Sequence, residues 1–269
     1  MSIIKNDFEK MNITKIKRSK NNKKLTVITA YDALFAKLFE EIADMILVGD
    51  SLNMSFAGKP DTLSATLEQM IYHTNAVCTG APKSFVIMDM PFGTYINKND
   101  ALKNCIEVYR LTNAAAVKIE GGEDRADIIK HLTSNSIAVM GHIGLMPQYV
   151  RSEGGYKVRG KTPHDEKQLI EDAIAIEKAG AFSIVVEGVL SDVAKKITEA
   201  VNIPVIGIGA GNVTDGQVLV WSDLLGLFEE FKPKFVRHYL NGASLVKDAV
   251  NQYRNDVQDC SFPSSEEEY

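Results

Sequence analysis

Cysteine is scarce in this chain, and its few copies are badly placed for chemistry. Cys78, Cys105 and Cys260 are odd in number, far apart and without any CxxC spacing, which argues against a disulfide framework and against a thiolate metal site. Long apolar runs are missing too. None approaches the roughly 18 to 20 residues that a bilayer-crossing helix needs, and the amino terminus shows no charged-then-apolar pattern ahead of a cleavage site. A soluble, cytoplasmic protein is the expectation. Positive charge is likewise in deficit: 30 Lys and Arg stand against 35 Asp and Glu, for a net charge of -5. With the lysines spread along the chain, no basic face for nucleic acid is legible. What is present is an ordinary globular composition, 269 residues that are 45% hydrophobic and 24% charged, enough to bury a large core.

The recurring pattern is a short β-branched run followed by a helical-period segment. Leu25 to Ala30 precedes the amphipathic stretch Asp32 to Ile42, and Met45 to Asp50 precedes Leu67 to Gly80. The series continues with Phe85 to Met90 before Asp100 to Leu111, Ala115 to Glu120 before Arg125 to Leu132, Ile137 to His142 before Glu166 to Ala179, and Ser183 to Glu187 before Asp192 to Ala200. Pro204 to Gly209 is a seventh strand, and the short run Val218 to Val220 is the eighth. Strands apolar on both faces, alternating with helices, make a parallel sheet covered by helices. Eight such units in about 200 residues favour a closed (β/α)8 TIM barrel over an open doubly wound sheet. The absence of GxGxxG after the first strand agrees. Residues 1–269 read as one barrel domain, with 1–24 as an N-terminal segment capping the barrel bottom. Residues 241–269 supply a C-terminal helix, Ser244 to Val257, and an acidic tail, Glu266 to Glu268, expected to fray.

Chemistry emerges at the carboxyl ends of the strands, where a barrel gathers its functional groups. Strand two ends in Asp50-Ser51, strand three in Asp89, strand four in Lys118-Ile119-Glu120, strand five in His142 and strand six in Glu187. An isolated Asp there is as readily a helix cap or turn residue. Five consecutive strands ending in ionisable groups are harder to dismiss, because carboxylates crowded into one mouth need a cation or a donor to meet them. Oxygen ligands without thiolates suit magnesium, which keeps waters and takes one or two protein carboxylates. Lys118 and Glu120, two apart on one strand, share a face and leave Ile119 on the other. A substrate carboxylate on Lys118 is one reading and a buried ion pair the other.

The chain resembles the ketopantoate hydroxymethyltransferase family. The resemblance rests on Val48-Gly49-Asp50-Ser51-Leu52, Met70-Ile71-Tyr72-His73-Thr74, Asp89-Met90-Pro91-Phe92, Val117-Lys118-Ile119-Glu120-Gly121-Gly122 and Gly141-His142-Ile143-Gly144-Leu145. Gly154-Gly155-Tyr156-Lys157-Val158, Gly207-Ile208-Gly209-Ala210-Gly211, Asp215-Gly216-Gln217 and Pro233-Lys234-Phe235-Val236 extend it. So many short motifs in one order are specific where each alone is weak. The resemblance implies a barrel enzyme that moves a hydroxymethyl group from 5,10-methylenetetrahydrofolate to 3-methyl-2-oxobutanoate (α-ketoisovalerate), giving ketopantoate for pantothenate and coenzyme A synthesis. It implies Mg2+ as cofactor, methylenetetrahydrofolate as cosubstrate, and a homo-oligomer, commonly a decamer.

Residue by residue, the resemblance makes Asp50 and Asp89 the direct metal ligands and Glu120 the third acidic member of that site. Asp50, Ser51, Asp89, Lys118 and His142 match substrate-binding positions, with Lys118 on the carboxylate. Glu187 matches the general base. The reaction it implies is removal of the proton on the branched carbon by Glu187 and passage through a magnesium-stabilised enolate. The Gly207 to Gly211 loop could host part of the folate, or its glycines could serve tight packing at a barrel corner. Asn53, Ser55 and Met146 depart from the family's usual residues, as does the Glu-Glu-Glu-Tyr ending; none touches the expected ligands or base. Two other readings stay open: a magnesium-dependent carbon-carbon lyase or mutase of the isocitrate lyase type, whose Lys-Lys-Cys-Gly-His stretch does not occur here, and a non-catalytic barrel scaffold.

Overall fold

Short β-branched and aliphatic runs become strands here because both of their faces are buried. They are β1 (Leu25–Thr29), β2 (Met45–Val48), β3 (Val86–Asp89), β4 (Ala116–Glu120), β5 (Val139–Gly144), β6 (Ser183–Glu187), β7 (Val205–Ile208) and β8 (Gly216–Leu219). Each pairs in parallel with the next, and β8 closes on β1. The helices are α1 (Ile13–Arg18), α2 (Ala33–Phe39), α3 (Leu52–Ser55), α4 (Leu67–Gly80), α5 (Lys98–Leu111), α6 (Glu123–Ser134), α7 (Pro163–Lys178) and α8 (Ser191–Ala200), then α9 (Trp221–Leu224) and α10 (Gly242–Gln258). The structure, a computed structural model, describes residues 10–229 and 232–269. The chain divides into two compact units, Met1–Leu219 and Val220–Tyr269. Among the described residues, no helix is long and apolar enough to cross a membrane.

Polar caps decide where the helices start. Asp32, Thr66, Asn97 and Thr162 each accept a backbone N–H from two or three residues ahead, pairing donors that a first turn otherwise leaves empty. At α4 the cap is reciprocal, since Gln69 also accepts from the Thr66 N–H at 3.0 Å. The expected barrel is therefore present, with local differences. Strand β2 stops at Val48, so Asp50 and Ser51 lie in the turn beyond it. Strand β5 runs two residues past His142 to Gly144. The eighth strand is Gly216–Leu219 rather than Val218–Val220: Gly216 pairs with Leu25 and Ile206. A glycine and an exposed Gln217 gave its first half no apolar signal.

Side-chain alternation sorts each strand into an inner and an outer set. Leu25 and Val27, Met45 and Leu47, Phe85 and Ile87, Ala116, Met140, Val185, and Ile206 and Ile208 form the inner core. Further along the same faces, in steps of two residues, come Asp89 after Ile87, Lys118 and then Glu120 after Ala116, His142 after Met140, and Glu187 after Val185. Apolar filling and charged mouth are thus one periodic pattern read at two heights.

At the opposite end, Ile16 of α1 is wholly buried in the same core, beside Leu25, Phe85 and Phe182. Burying it contributes about 1.5–3 kcal/mol. Lys20 fastens this segment by pairing with Asp215 at 2.8 Å and donating to the Thr198 carbonyl at 2.6 Å. Asp215 also accepts the Val205 N–H at 2.9 Å. Of the segment 1–24 expected to cap the barrel bottom, residues 1–9 lie outside the described residues. In the second unit, α10 covers the expected C-terminal helix, and Glu267 closes a turn by accepting from the Ser264 N–H at 2.8 Å.

Candidate active site

Strand register brings the ionisable residues level with one another. Asp89 stands beside Lys118, Glu120 beside His142, and Gly144 beside Glu187 in adjacent strands. Asp50 joins them from the turn after β2, where its backbone N–H donates to Asp89 Oδ2 at 3.1 Å. Close approach explains Gly49 in that turn: a side chain there would come within 2.8 Å of Ser51 Oγ and 3.6 Å of Asp89 Oδ2.

A continuous chain of contacts follows. Lys118 Nζ lies 3.1 Å from Asp89 Oδ1, 3.9 Å from Glu120 Oε1 and 3.0 Å from His142 Nδ1. His142 Nδ1 is 3.4 Å from Glu120 Oε1, and its Nε2 is 3.4 Å from Glu187 Oε2. Asp50, Asp89, Lys118, Glu120 and His142 are all buried, whereas the Glu187 side chain keeps 20% of its surface exposed. Glu187 is therefore the carboxylate of this chain that opens towards the solvent side. Ser51 Oγ hydrogen-bonds Tyr31 Oη at 2.9 Å, which places it beside Asp50 but outside the ion-pair chain.

Burial drives the electrostatics. Asp50 is held well above the usual carboxylate range by burial and by the charges of Asp89 and Glu120. Burial also raises Asp89, although Lys118 opposes the shift. Glu120 goes the other way: burial alone would raise it, but His142, Lys118 and the Gln148 N–H hold it below its ordinary value. For Lys118, burial disfavours the ammonium, yet Asp89, Glu120 and Asp50 outweigh it and push its pKa up. Burial and Lys118 likewise oppose charge on His142, but Glu120 and Glu187 push its pKa up to about 9. The 3.0 Å line between Lys118 Nζ and His142 Nδ1 has room for one proton. A pKa raised to about 9 favours the doubly protonated ring, with Nδ1 towards Glu120 and Nε2 towards Glu187; where Nδ1 instead accepts from the ammonium, Nε2 still carries the hydrogen facing Glu187.

The acidic residues fit a hard divalent cation. Asp89 Oδ1 and Glu120 Oε1 are buried without a hydrogen-bond partner and are met by ion-pair contacts alone. The raised pKa values of Asp50 and Asp89 mark two carboxylates short of positive charge. No group of three or more His, Cys, Asp and Glu among the described residues converges as a metal centre by itself. Two carboxylates plus water is the arrangement magnesium accepts.

Sequence reasoning overlooked Gln148, which sits in the 3-10 turn Pro147–Tyr149 after β5. Its side-chain Nε2 donates to Asp50 Oδ2 at 2.8 Å and to the Met90 carbonyl at 2.9 Å, and its backbone N–H donates to Glu120 Oε2 at 3.0 Å. A neutral residue beyond a strand end gives no charge signal, so only its place after Pro147 could have pointed to it. Close packing accounts for one glycine of the Gly207 to Gly211 loop. At Gly211, with φ +80°, a side chain would collide with Ser191 Oγ at 2.2 Å.

Comparison with known proteins now bears on this site. The family model for ketopantoate hydroxymethyltransferase matches residues 10–265. A 3-methyl-2-oxobutanoate hydroxymethyltransferase of Aliarcobacter butzleri is 88% identical over 269 residues, covering 100% of both chains. The enzyme of the same name from Nitratiruptor is 65% identical over 257 residues, covering 96% of this chain and 98% of that one. Among solved structures, a 2,3-dimethylmalate lyase aligns with a TM-score of 0.62 at 16% identity, over 91% of this chain and 87% of its own. That likeness is one of fold. Full-length identity at this level, together with the family model over residues 10–265, shows that the chain is an enzyme of the ketopantoate hydroxymethyltransferase family.

Proposed function

We propose that the chain transfers a hydroxymethyl group from 5,10-methylenetetrahydrofolate to 3-methyl-2-oxobutanoate, giving 2-dehydropantoate, the step that feeds pantothenate and coenzyme A synthesis. The observation that carries this reading is the ordered chain of contacts from Asp50 through Asp89, Lys118 and His142 to Glu187, with every link at 3.4 Å or less. It places paired acids at one end, a free-ended carboxylate at the other and a buried ammonium between.

The substrate's branched carbon carries a weakly acidic hydrogen next to a ketone, so its removal needs a base and a sink for the charge that builds on oxygen. A magnesium ion held by Asp50 and Asp89, with Glu120 reaching it through water, would supply that sink. Lys118 binds the substrate carboxylate, for which its fixed positive charge is suited. Glu187 takes the proton. Lys118 and His142 stand between it and the Asp50 and Asp89 pair that would hold the cation. His142 keeps a donor on Glu187, and the Tyr31-held hydroxyl of Ser51 offers the substrate a further polar contact. The carbon nucleophile then bonds to the methylene carbon of the folate as one of its two C–N bonds opens, the freed nitrogen taking up the proton that Glu187 removed; water displaces the second nitrogen, its hydroxyl going to the product and its proton to tetrahydrofolate.

A half-reaction tests this. In deuterated buffer with 3-methyl-2-oxobutanoate, the protein should exchange the branched-carbon proton only when magnesium is present. Glu187→Gln should slow the exchange by about 10²- to 10⁴-fold. A wild-type protein that exchanges nothing with metal present would sink the proposal.

We assign the chain to a homo-oligomer as well, a decamer by family resemblance. Leu34 and Leu38, four apart on α2 and 69% and 59% exposed, and Ile42 in the turn beyond it, 75% exposed, are apolar side chains that such an interface would cover. Native mass measurement decides it.

A further inference from the structure

Gln148 differs from every other group in the mouth in that it carries no charge yet touches two of the three acidic residues. Its environment fixes the orientation of its amide. The Met90 carbonyl can only accept, and the Asp50 carboxylate accepts, so the NH2 group must face both. The amide oxygen is thereby turned to Tyr95, whose buried hydroxyl donates to Oε1. A flipped amide would set oxygen against two acceptors and a nitrogen against the phenol. The residue is 4% exposed, so water offers no alternative partner.

The consequence falls on Asp50. Its Oδ2 is occupied by Gln148, leaving Oδ1 as the oxygen Gln148 does not engage. Asp89 is arranged the same way, with Oδ2 taken by the Asp50 N–H and Oδ1 left without a hydrogen bond. Glu120 Oε2 is taken by the Gln148 backbone. Each acid thus has one oxygen tied by a protein donor, and two of the three ties come from a single residue.

We infer that Gln148 is the positioning residue of the acidic centre: its amide, locked by Tyr95 and Met90, sets which oxygen of Asp50 meets a divalent cation, and its backbone holds Glu120. The inference rests on the reading that Asp50 and Asp89 hold that cation. Gln148 touches neither cation nor substrate in this role; it acts through the carboxylates, as outer partners of metal ligands generally do.

The test uses Gln148→Leu, which keeps the size and removes the polar atoms, and Tyr95→Phe, which removes only the lock on the amide. Manganese is the probe, its binding followed by the paramagnetic resonance signal of the free ion with no keto acid present. Gln148→Leu should weaken manganese binding by about 10- to 100-fold, and Tyr95→Phe by about 2- to 10-fold. Proton exchange in Gln148→Leu should return to near the wild-type rate once magnesium saturates, with the deficit in the magnesium requirement. A purely structural role would lower the melting temperature and leave the manganese affinity alone. Unchanged affinity in a folded Gln148→Leu overturns the inference; should that variant not fold, unchanged affinity in Tyr95→Phe overturns it. A wild-type protein that binds no manganese overturns the inference together with the metal reading, whereas binding by wild type and variants alike overturns the inference only.

Discussion

His142 Nε2 faces Glu187 Oε2 across 3.4 Å, a buried ring nitrogen beside the one carboxylate of the mouth that retains contact with solvent. Whether the ring is doubly protonated or Nδ1 accepts from Lys118, Nε2 carries a hydrogen aimed at the base. That donor stands at ion-pair distance without hydrogen-bond geometry, and its positive end steadies the charged carboxylate.

Removing that donor should therefore slow proton abstraction. In His142→Leu, the exchange rate with 3-methyl-2-oxobutanoate should fall by about 10- to 100-fold, while manganese binding stays near wild type. Exchange at the wild-type rate would show that Glu187 needs no partner.

The acidic centre should cost the metal-free protein stability. Burial and neighbouring charge raise Asp50, so its contribution to stability is complete below the ordinary carboxylate range and is lost as pH rises through its raised value. Near neutral pH, Asp50→Asn should melt higher than wild type in chelator, by roughly 2–4 °C for each kcal/mol relieved. Magnesium should raise the melting temperature of wild type and have little effect on the variant. A variant that melts lower in chelator, measured by differential scanning calorimetry, would contradict this.

At the other end of the barrel, the Lys20–Asp215 pair should matter to stability and not to catalysis. Both side chains are nearly buried, at 9% and 5% exposure. Lys20→Met leaves Asp215 without its cation, a loss of about 3–5 kcal/mol readable in urea unfolding. The KM for the keto acid should be unchanged.

The thiols give a pH signature. Burial pushes Cys78 up to about 11 and Cys105 up to about 12, whereas Cys260 is exposed. A disulfide reagent at pH 8 should titrate Cys260 quickly and the other two only after denaturation. Because both folded values are raised, the stability they contribute is full below the ordinary thiol range of about 8.5 and is lost as pH climbs towards 11 and 12. Stability that rises between pH 9 and 11 would contradict the assignment.

What the sequence by itself determined is whatever repeats or is periodic. β-branched runs alternating with helical stretches specified the barrel, and the two-residue period within strands put Lys118 and Glu120 on one face and aligned Asp89, His142 and Glu187 above apolar neighbours. Charge made these residues visible. What only the tertiary structure decided depends on register between strands and on neutral groups. Which nitrogen of His142 faces Glu187, which oxygen of Asp50 is tied, and the bridging of Asp50 and Glu120 by Gln148 across 98 and 28 residues of sequence are set by angstrom-scale packing. The eighth strand was blurred for a related reason: Gly216 and Gln217 are strand residues because Leu25 and Ile206 pair with that segment, a preference imposed by barrel closure and absent from the side chains themselves.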